Sequence, residues 1–375
     1  MNHKILYFLI ILIFAFTFNS CIYIPRALIY QKVGIEDYRI FNNRTIIANN
    51  YQQWKISKNY NKKQIPAKYI KNFEEIETIA YLIIQDDSIK FEKYWDGYND
   101  SSITNSFSAA KSIISLLIGI AIDDGYIKSV NQKVGDFFPE FNVGDNTKLT
   151  IKHLLTMSSG LNWKEGYSSL FSPTTQAYYG SNLNKLIFNL KVTEEPGLIY
   201  KYLSCNTQLL AFIVEKATKM SISEYASKKL WIPLGAKHNA YWSLDKKNGM
   251  EKAYCCFNSN AQDFARIGKL CLNGGIWNGE KIISKEYLDE SFNPVIYLKD
   301  EEGSAVDYYG YQWWMVNYKG YKINYARGLL GQYIFMIPEK NTVIVRLGKK
   351  RSKDMINKFP ADIYMWIDAA LEIIN

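Results

Sequence analysis

Apolar alternation marks strand-forming segments near both ends of the chain. Early in the chain, residues 79–84 and 89–95 flank the turn Asp86-Asp87-Ser88 and predict a β-hairpin. Late in the chain, the same alternation predicts four more strands, over 308–316, 322–326, 333–337 and 342–347. Because helical patterns fill the chain between these groups, we expect one antiparallel sheet built from both chain ends.

Helical periodicity dominates the middle of the chain. A largely apolar helix is predicted over 108–123, ended by Gly125. Further helices are predicted over 209–218, 222–230, 263–272 and 358–374. The predicted fold class is therefore α/β (α+β): an antiparallel sheet flanked by helices, with a helical subdomain inserted at about 130–250.

The first residues have the pattern of a targeting signal. Lys4 precedes an apolar run over 5–18, which is too short to span a bilayer comfortably and suits a signal peptide over residues 1–20. The run ends in Phe18-Asn-Ser-Cys21, which resembles a bacterial lipoprotein cleavage site. We therefore expect export, lipidation at Cys21 and a membrane attachment to the bacterial cell envelope, on its periplasmic or outer-membrane side. A plain signal peptide and an uncleaved anchor are the alternatives.

Two further boundaries follow from composition. Residues 21–75 are mixed, with many Tyr, Asn and Lys, and are expected to form an irregular lead-in to a main domain over 76–375. Of the 375 residues 48% are hydrophobic, which is enough for a large core.

The net charge is +9, but the lysines are scattered as on an ordinary solvated surface, so we expect no nucleic-acid partner.

Histidine and cysteine usage excludes some kinds of site. The three histidines form no His-Glu-x-x-His pattern, so a His-rich zinc site is excluded and no metal is expected. Four cysteines follow Cys21 in the chain. Adjacent cysteines rarely bond to each other, and four cysteines allow three pairings, none of which the sequence selects. Buried free thiols are the simpler interpretation for all four: Cys205, Cys255, Cys256 and Cys271.

Ser108-Ala-Ala-Lys111 is the candidate for nucleophilic chemistry. On a helix, positions three apart share a face, so the Lys111 amine can reach the Ser108 hydroxyl and activate it. The helix N-terminus adds a partial positive charge beside the alkoxide. A second match, Ser243-Leu-Asp-Lys246, lies in a polar turn with nothing to activate a nucleophile. The alternative for Ser108 is a helix N-cap, with Lys111 solvated.

Tyr202-Leu-Ser204 is a second polar motif, in a loop that precedes a helix. A loop tyrosine can act as a base if a nearby lysine lowers its pKa from the usual value of about 10. Only the fold could bring Tyr202 to Lys111, because the two are far apart in sequence. The alternative is an ordinary core tyrosine with a satisfied hydroxyl.

These motifs occur in the order found in serine β-lactamase-like hydrolases. Together with Ala326-Arg327-Gly328, which precedes Gly331-Gln332, they resemble the branch that holds class C β-lactamases, DD-peptidases, related esterases and 6-aminohexanoate-dimer hydrolases. The resemblance covers about residues 75–350. It implies a β-lactamase-like fold and a serine hydrolase that works through an acyl-enzyme on an ester or amide bond of a small molecule or peptide.

The resemblance also implies residue roles. Ser108 would attack the carbonyl carbon, while Lys111 and Tyr202 share the proton transfers. Ser204 stands where class C enzymes carry Asn and would hydrogen-bond the Lys111 region. No metal or organic cofactor is implied.

The third motif supplies the oxyanion hole and also departs from the family pattern. The backbone N–H groups of Ser108 and of the residue after Gly328, Leu329, would bind the oxyanion. β-Lactamases typically carry Lys-Thr-Gly where this chain has Ala326-Arg327-Gly328, so the cation for a β-lactam carboxylate is missing from the first position. Arg327 could replace it or could face solvent. A cell-wall DD-peptidase, a β-lactamase and a non-catalytic envelope lipoprotein are the alternative functions.

Overall fold

The computed structural model describes residues 23–167 and 169–375. The signal peptide expected at 1–20 and the lipidation expected at Cys21 lie outside these residues. The described helices are α1 Tyr23–Tyr30, α2 Ala67–Glu75, α3 Ala110–Asp123, α4 Ile151–Leu155, α5 Pro173–Tyr179, α6 Leu183–Phe188, α7 Ser204–Thr218, α8 Ile222–Ala226, α9 Ala261–Leu272, α10 Lys285–Ser291 and α11 Asp362–Ile374. In that part of the chain, none of them is both long and apolar enough to cross a membrane.

The strands form one large sheet, one smaller sheet and two short hairpins. They are β1 Asn43–Ile46, β2 Lys55–Ile56, β3 Thr78–Gln85, β4 Ser88–Tyr94, β5 Thr104–Asn105, β6 Ala240–Ser243, β7 Phe257–Ser259, β8 Ile276–Trp277, β9 Glu280–Lys281, β10 Trp314–Tyr318, β11 Tyr321–Gly328, β12 Gln332–Ile337, β13 Thr342–Gly348, β14 Met355–Ile356 and β15 Phe359–Pro360.

The large sheet combines both ends of the chain, as expected. Its strand order is β10-β11-β12-β13-β3-β4-β2. The late and early groups meet where β13 pairs antiparallel with β3, with Val343 opposite Ile84. Only the edge pair β2 and β4 is parallel within the described strands. Both faces of β3, β12 and β13 are buried, which explains their nearly continuous apolar sequences.

Helices cover both faces of this sheet. On one face α9 packs against β12, β13 and β3. The close approach requires Gly268, because a Cβ there would lie 2.7 Å from Cγ1 of Val343. On the other face the Tyr81 hydroxyl donates to the Trp366 carbonyl of α11 at 2.5 Å. This arrangement confirms the predicted antiparallel sheet flanked by helices.

A helical layer and the small sheet complete the molecule. Helix α3 is buried from Ala110 to Ala121 and packs against α7. The small sheet has the order β1-β6-β7-β5, and β5 leads directly toward α3. Strand β5 of the small sheet and strand β11 of the large sheet both end beside the start of α3, where the candidate site lies.

Three predicted boundaries differ from the structure. The strand predicted at 308–316 begins only at Trp314, because the chain turns at Gln312, which has φ of +65° and donates its amide to Leu154 and Leu155 carbonyls. The helix predicted at 358–374 begins at Asp362, because the residue before Pro360 is held extended in β15. The helical region expected at 130–250 also contains the strand β6.

The expected irregular lead-in and free thiols also need correction. Within 21–75, the described residues form α1, β1, β2 and α2, and β1 pairs with β6. Cys255 and Cys256 form a disulfide, since the positive φ of Cys256, +66°, turns the two side chains toward each other. Cys205 and Cys271 are free and buried, as expected.

Candidate active site

Ser108 lies in a tight turn between β5 and the central helix. The turn Phe107–Ala109 is a short 3₁₀ helix that runs into α3. Phe107 has φ of +45°, a conformation that costs energy for a non-glycine residue and persists where the surroundings enforce it. Here the Phe107 N–H donates to Oδ1 of Asn105 at 2.8 Å. The turn therefore presents the Ser108 hydroxyl at the start of α3.

Lys111 is buried beside Ser108, one turn into the same helix. Its Nζ lies 3.2 Å from Ser108 Oγ, 3.3 Å from Ser204 Oγ and 2.7 Å from the main-chain oxygen of Tyr254. Burial disfavours the charged ammonium and lowers the pKa of Lys111 to about 8, although the negative charge of Glu165 raises it in part. A large fraction of Lys111 is therefore neutral near pH 8 and can accept a proton.

The three partners of Lys111 fix where its lone pair points. The Tyr254 carbonyl can only accept a hydrogen bond. The Ser204 hydroxyl donates its hydrogen to Oε1 of Glu165 at 2.7 Å, so it also serves Lys111 as an acceptor. A neutral amine has two N–H groups, which these two acceptors occupy. The lone pair then faces the remaining partner, the Ser108 hydroxyl, as proton abstraction from Ser108 requires.

Glu165 anchors this network from a loop. Its carboxylate accepts hydrogen bonds from four donors: the Ser204 N–H at 2.8 Å, the Ser204 hydroxyl at 2.7 Å, Nε1 of Trp163 at 2.7 Å and the Tyr167 hydroxyl at 2.6 Å. The aromatic donors on either side of Glu165 in sequence thus hold the carboxylate on the first turn of α7.

Tyr202 completes the group around Ser108. Its hydroxyl is hydrogen-bonded to Ser108, and Lys111 Nζ lies 5.2 Å from the centre of its ring. Burial raises the pKa of Tyr202 to about 12, and the hydrogen bond to Ser108 and the charge of Arg327 lower it only in part. The condition under which Tyr202 could act as a base, a pKa lowered by Lys111, is therefore not met. Lys111 is the better base, and Tyr202 stays a neutral hydroxyl that can relay a proton.

Arg327 does not face open solvent and lies on the Tyr202 side of β11. Its guanidinium carbon is 3.4 Å from the centre of the Trp314 ring, in a cation–π contact. The Trp314 ring lies 5.5 Å from the Tyr202 ring. Ala326 points to the opposite, buried face of the strand. The charge of Arg327 thus acts on Tyr202, while its side chain is held by an aromatic neighbour.

Gly328 and Leu329 lie where an oxyanion hole is expected. A Cβ on Gly328 would lie 2.1 Å from the Ser106 oxygen, so β11 contacts the nucleophile turn directly. Buried Arg346 donates from Nη1 to the carbonyls of Leu330 at 3.0 Å and Gly331 at 2.8 Å, which fixes the loop after Gly328. The backbone next to Ser108 is therefore rigidly positioned.

A cavity of about 570 Å³ opens onto these groups. Ser108, Ser204, Leu329 and Leu330 lie in its wall. Eight of the seventeen remaining lining residues are aromatic or aliphatic, and these include Phe107, Tyr167, Leu170, Tyr178, Tyr179 and Tyr254. The cavity can hold a small organic acyl group against the Ser108 hydroxyl.

The structure thus brings together all the predicted site residues within its described part: Ser108, Lys111, Tyr202, Ser204, Arg327, Gly328 and Leu329. Sequence reasoning missed Glu165 and Tyr254. A carboxylate between two aromatic donors, Trp163-Lys-Glu165-Gly-Tyr167, was a signal for the first. Tyr254 contributes its backbone oxygen, for which side-chain identity gives no signal. Among residues 23–167 and 169–375, no cluster of His, Cys, Asp and Glu could hold a metal ion.

Comparison with known proteins supports the same grouping. Residues 67–362 match the family described as Beta-lactamase. A 6-aminohexanoate-dimer hydrolase from Paenarthrobacter ureafaciens is 26% identical over 297 residues, which are 73% of each chain. This match and the observed topology confirm the expected resemblance and fold class, and with them a serine hydrolase of the esterase or amidase type.

Solved structures share the fold at low sequence identity. A Bacillus anthracis protein, provisionally assigned as a 6-aminohexanoate-dimer hydrolase, superposes with a TM-score of 0.78 at 20% identity and covers 91% of this chain and 92% of its own. A family VIII carboxylesterase gives a TM-score of 0.65 at 16% identity and covers 86% of this chain and 99% of its own.

Proposed function

The chain belongs to the Beta-lactamase family, and we propose that within it Ser108 is the acylated nucleophile of an enzyme that hydrolyses small esters and linear amides. The observation that carries this proposal is the position of Lys111, a buried amine of lowered pKa whose lone pair faces the Ser108 hydroxyl. A serine hydroxyl needs such a base to become a nucleophile.

Acylation follows from the contacts of this group. Neutral Lys111 takes the proton of Ser108 while Ser108 Oγ forms a bond to the substrate carbonyl carbon. The carbonyl oxygen becomes an oxyanion and accepts hydrogen bonds from the N–H groups of Ser108 and Leu329. The bond to the leaving group then breaks as Tyr202 donates its hydroxyl proton to that group. The Lys111 ammonium restores the proton of Tyr202.

Deacylation again uses Lys111, first as base and then as acid. Neutral Lys111 takes a proton from a water molecule, and the water oxygen attacks the acyl carbon. The second oxyanion collapses, the bond from Ser108 Oγ to the acyl carbon breaks, and Oγ regains a proton from Lys111. The carboxylic acid product leaves, and the whole cycle consumes only the substrate and one water molecule.

Two features favour simple esters and linear amides as substrates. The cavity lining is mostly apolar, and Ala326 stands where β-lactamases carry a cation. The relative from Paenarthrobacter ureafaciens is named a 6-aminohexanoate-dimer hydrolase. The test is a panel of p-nitrophenyl acetate, p-nitrophenyl butyrate, 6-aminohexanoate dimer and a D-alanyl-D-alanine peptide, with Ser108→Ala as control. The proposal is supported if the native protein hydrolyses the esters or the dimer and Ser108→Ala does not. It is contradicted if the D-alanyl peptide is the only substrate that the native protein hydrolyses.

We further propose that the protein is exported and attached to the bacterial cell envelope through lipid on Cys21. Support comes from the apolar run over 5–18 and the small residue that precedes Cys21. Mass spectrometry of the mature N-terminus tests this proposal. A diacyl- or triacyl-cysteine is expected, and an unmodified N-terminus beyond Cys21 would contradict it.

A further inference from the structure

Apolar side chains project into solvent around the mouth of the catalytic cavity. We call them the entrance patch: Leu28, Ile29 and Tyr30 at the end of α1, with Tyr167 and Phe171 in the facing loop. Ile29 is 71% exposed and Phe171 is 77% exposed. Large apolar side chains with this exposure, grouped at one place, are typical of a surface that meets another apolar phase.

Both halves of the patch adjoin the same cavity. Ala27 and Gln31 of the α1 region line the cavity that holds Ser108, and so do Tyr167 and Leu170. Helix α1 is fixed there because it packs on α5, where the Tyr30 ring stacks on Tyr179 with centres 6.4 Å apart. Whatever covers the entrance patch therefore lies directly over the substrate entrance.

The position of the patch in the chain indicates what covers it. Helix α1 begins at Tyr23, two residues after Cys21 and shortly after the apolar run over 5–18. An extended chain spans at most about 3.3–3.6 Å per residue, so two residues of chain reach roughly 7 Å at most. A bilayer that holds either an acylated Cys21 or the apolar run must then lie close to α1.

Charge at the cavity rim is consistent with a lipid surface. Lys32 lies two residues after the end of α1, and it lines the cavity together with Lys349 and Lys350. Lys349 also pairs with Asp96, and Lys350 with Glu77. Apolar tips beside lysines are the combination by which peripheral proteins insert among anionic headgroups.

We propose that the entrance patch docks on a lipid bilayer, so that the catalytic cavity opens toward the membrane surface. Leu28, Ile29 and Phe171 enter the headgroup region, and Lys32 meets lipid phosphates. Amphiphilic esters or amides dissolved in the membrane are then the substrates with the shortest path to Ser108. This last statement rests on the proposed hydrolase activity, whereas the docking rests only on the proposed attachment of the N-terminus to the membrane.

Site-directed labelling of the full chain tests the docking. Phe171→Cys is labelled with an environment-sensitive dye, bound to vesicles of phosphatidylcholine and phosphatidylglycerol, and exposed to brominated lipid as quencher. The matched control is Ile276→Cys, which is also exposed. Ile276 shares a groove with Lys322 and Pro338. Lys322 lies near the start of β11, whereas Gly328, beside the site, is the last residue of that strand. Unmutated protein, treated with the dye, gives the background.

The expected result is quenching at position 171 that exceeds quenching at 276 by at least threefold. Equal quenching at both positions, or no sedimentation of the protein with the vesicles, overturns the proposal. A dye at 171 that is shielded from water but not quenched by lipid also overturns it and indicates a protein partner. Hydrolysis of soluble p-nitrophenyl acetate in the same samples reports separately on the proposed function, since neither position 171 nor 276 belongs to the catalytic group.

Discussion

Ser204 donates both its backbone N–H and its hydroxyl hydrogen to the carboxylate of Glu165, at 2.8 and 2.7 Å. This double contact leaves the Ser204 oxygen as an acceptor for Lys111. It also holds a negative charge near the Lys111 amine, which raises the pKa of Lys111 against the larger effect of burial. Glu165 thereby positions the lone pair of the Lys111 amine, and together with burial it determines the pH above which Lys111 is neutral.

The first prediction concerns Glu165→Gln. Catalysis needs neutral Lys111, so kcat/KM in the native enzyme should fall as pH drops through the Lys111 pKa of about 8. Loss of the negative charge removes an influence that raises this pKa, so the acid limb of the pH profile should move to lower pH. Glu224→Gln, at an exposed position of α8, is the control and should keep the native profile. An unshifted acid limb in Glu165→Gln would show that the carboxylate does not act on Lys111.

Tyr202→Phe should keep the fold and lose much of the rate. The substitution preserves the ring beside Trp314 and removes only the hydroxyl that is hydrogen-bonded to Ser108. General acid–base catalysis contributes about 10²–10⁴-fold, and kcat should drop within that range. Tyr200→Phe is the matched control, because its buried hydroxyl has no hydrogen-bond partner in the described part of the chain. Similar kcat values for the two variants would argue against a proton relay through Tyr202.

Gly328→Ala should damage catalysis through the oxyanion loop. Its Cβ would come 2.1 Å from the Ser106 backbone oxygen, so either β11 or the nucleophile turn must shift. Loss of one oxyanion donor costs about 10²–10³ in kcat, and a comparable loss is expected with little change in KM. Gly303→Ala is the control for backbone strain away from the site: φ of +83° disfavours a side chain there, but an added Cβ has no neighbour within 4 Å, so kcat should stay native. A native kcat in Gly328→Ala would remove Leu329 from the oxyanion hole.

The protein should be a poor β-lactamase and a better esterase. Ala326 is uncharged and is buried on the face of β11 opposite to Arg327, and the Arg327 guanidinium is held on the Trp314 ring. An unmet substrate carboxylate forfeits a charge-assisted hydrogen bond of about 1.5–3 kcal/mol, or about tenfold to a hundredfold in kcat/KM. Steady-state rates with nitrocefin and p-nitrophenyl butyrate compare the two activities. If nitrocefin is the better substrate, Arg327 must reach the carboxylate, and Arg327→Ala should then remove that activity selectively.

Local sequence was sufficient for the nucleophile and its base but not for their surroundings. Ser108 and Lys111 share one helix face, so their contact follows from spacing alone. Tyr202 reaches them only through the fold, and its place was predicted from the order of motifs. Its raised pKa depends on burial by residues distant in sequence, which no local pattern reveals.

The strands were predicted well where burial alone decides them and poorly where a single contact intervenes. β3, β4, β12 and β13 are alternating or continuous apolar segments, and their predicted bounds differ from the structure by only a few residues. The predicted strand at 308–316 was wrong in its first half because Gln312 turns the chain by binding helix α4. That contact joins distant segments and leaves no trace in the aromatic alternation around it.

The most direct test of the account is covalent labelling of Ser108. Full-length protein treated with a fluorophosphonate probe at pH 8 should gain one phosphonyl group, the probe mass less HF, on the peptide that contains Ser108, and Ser108→Ala should gain none. Esterase activity should fall in proportion to the fraction labelled. Probe mass on a different peptide, or labelling and ester hydrolysis that persist in Ser108→Ala, would contradict the assignment of Ser108 as the nucleophile.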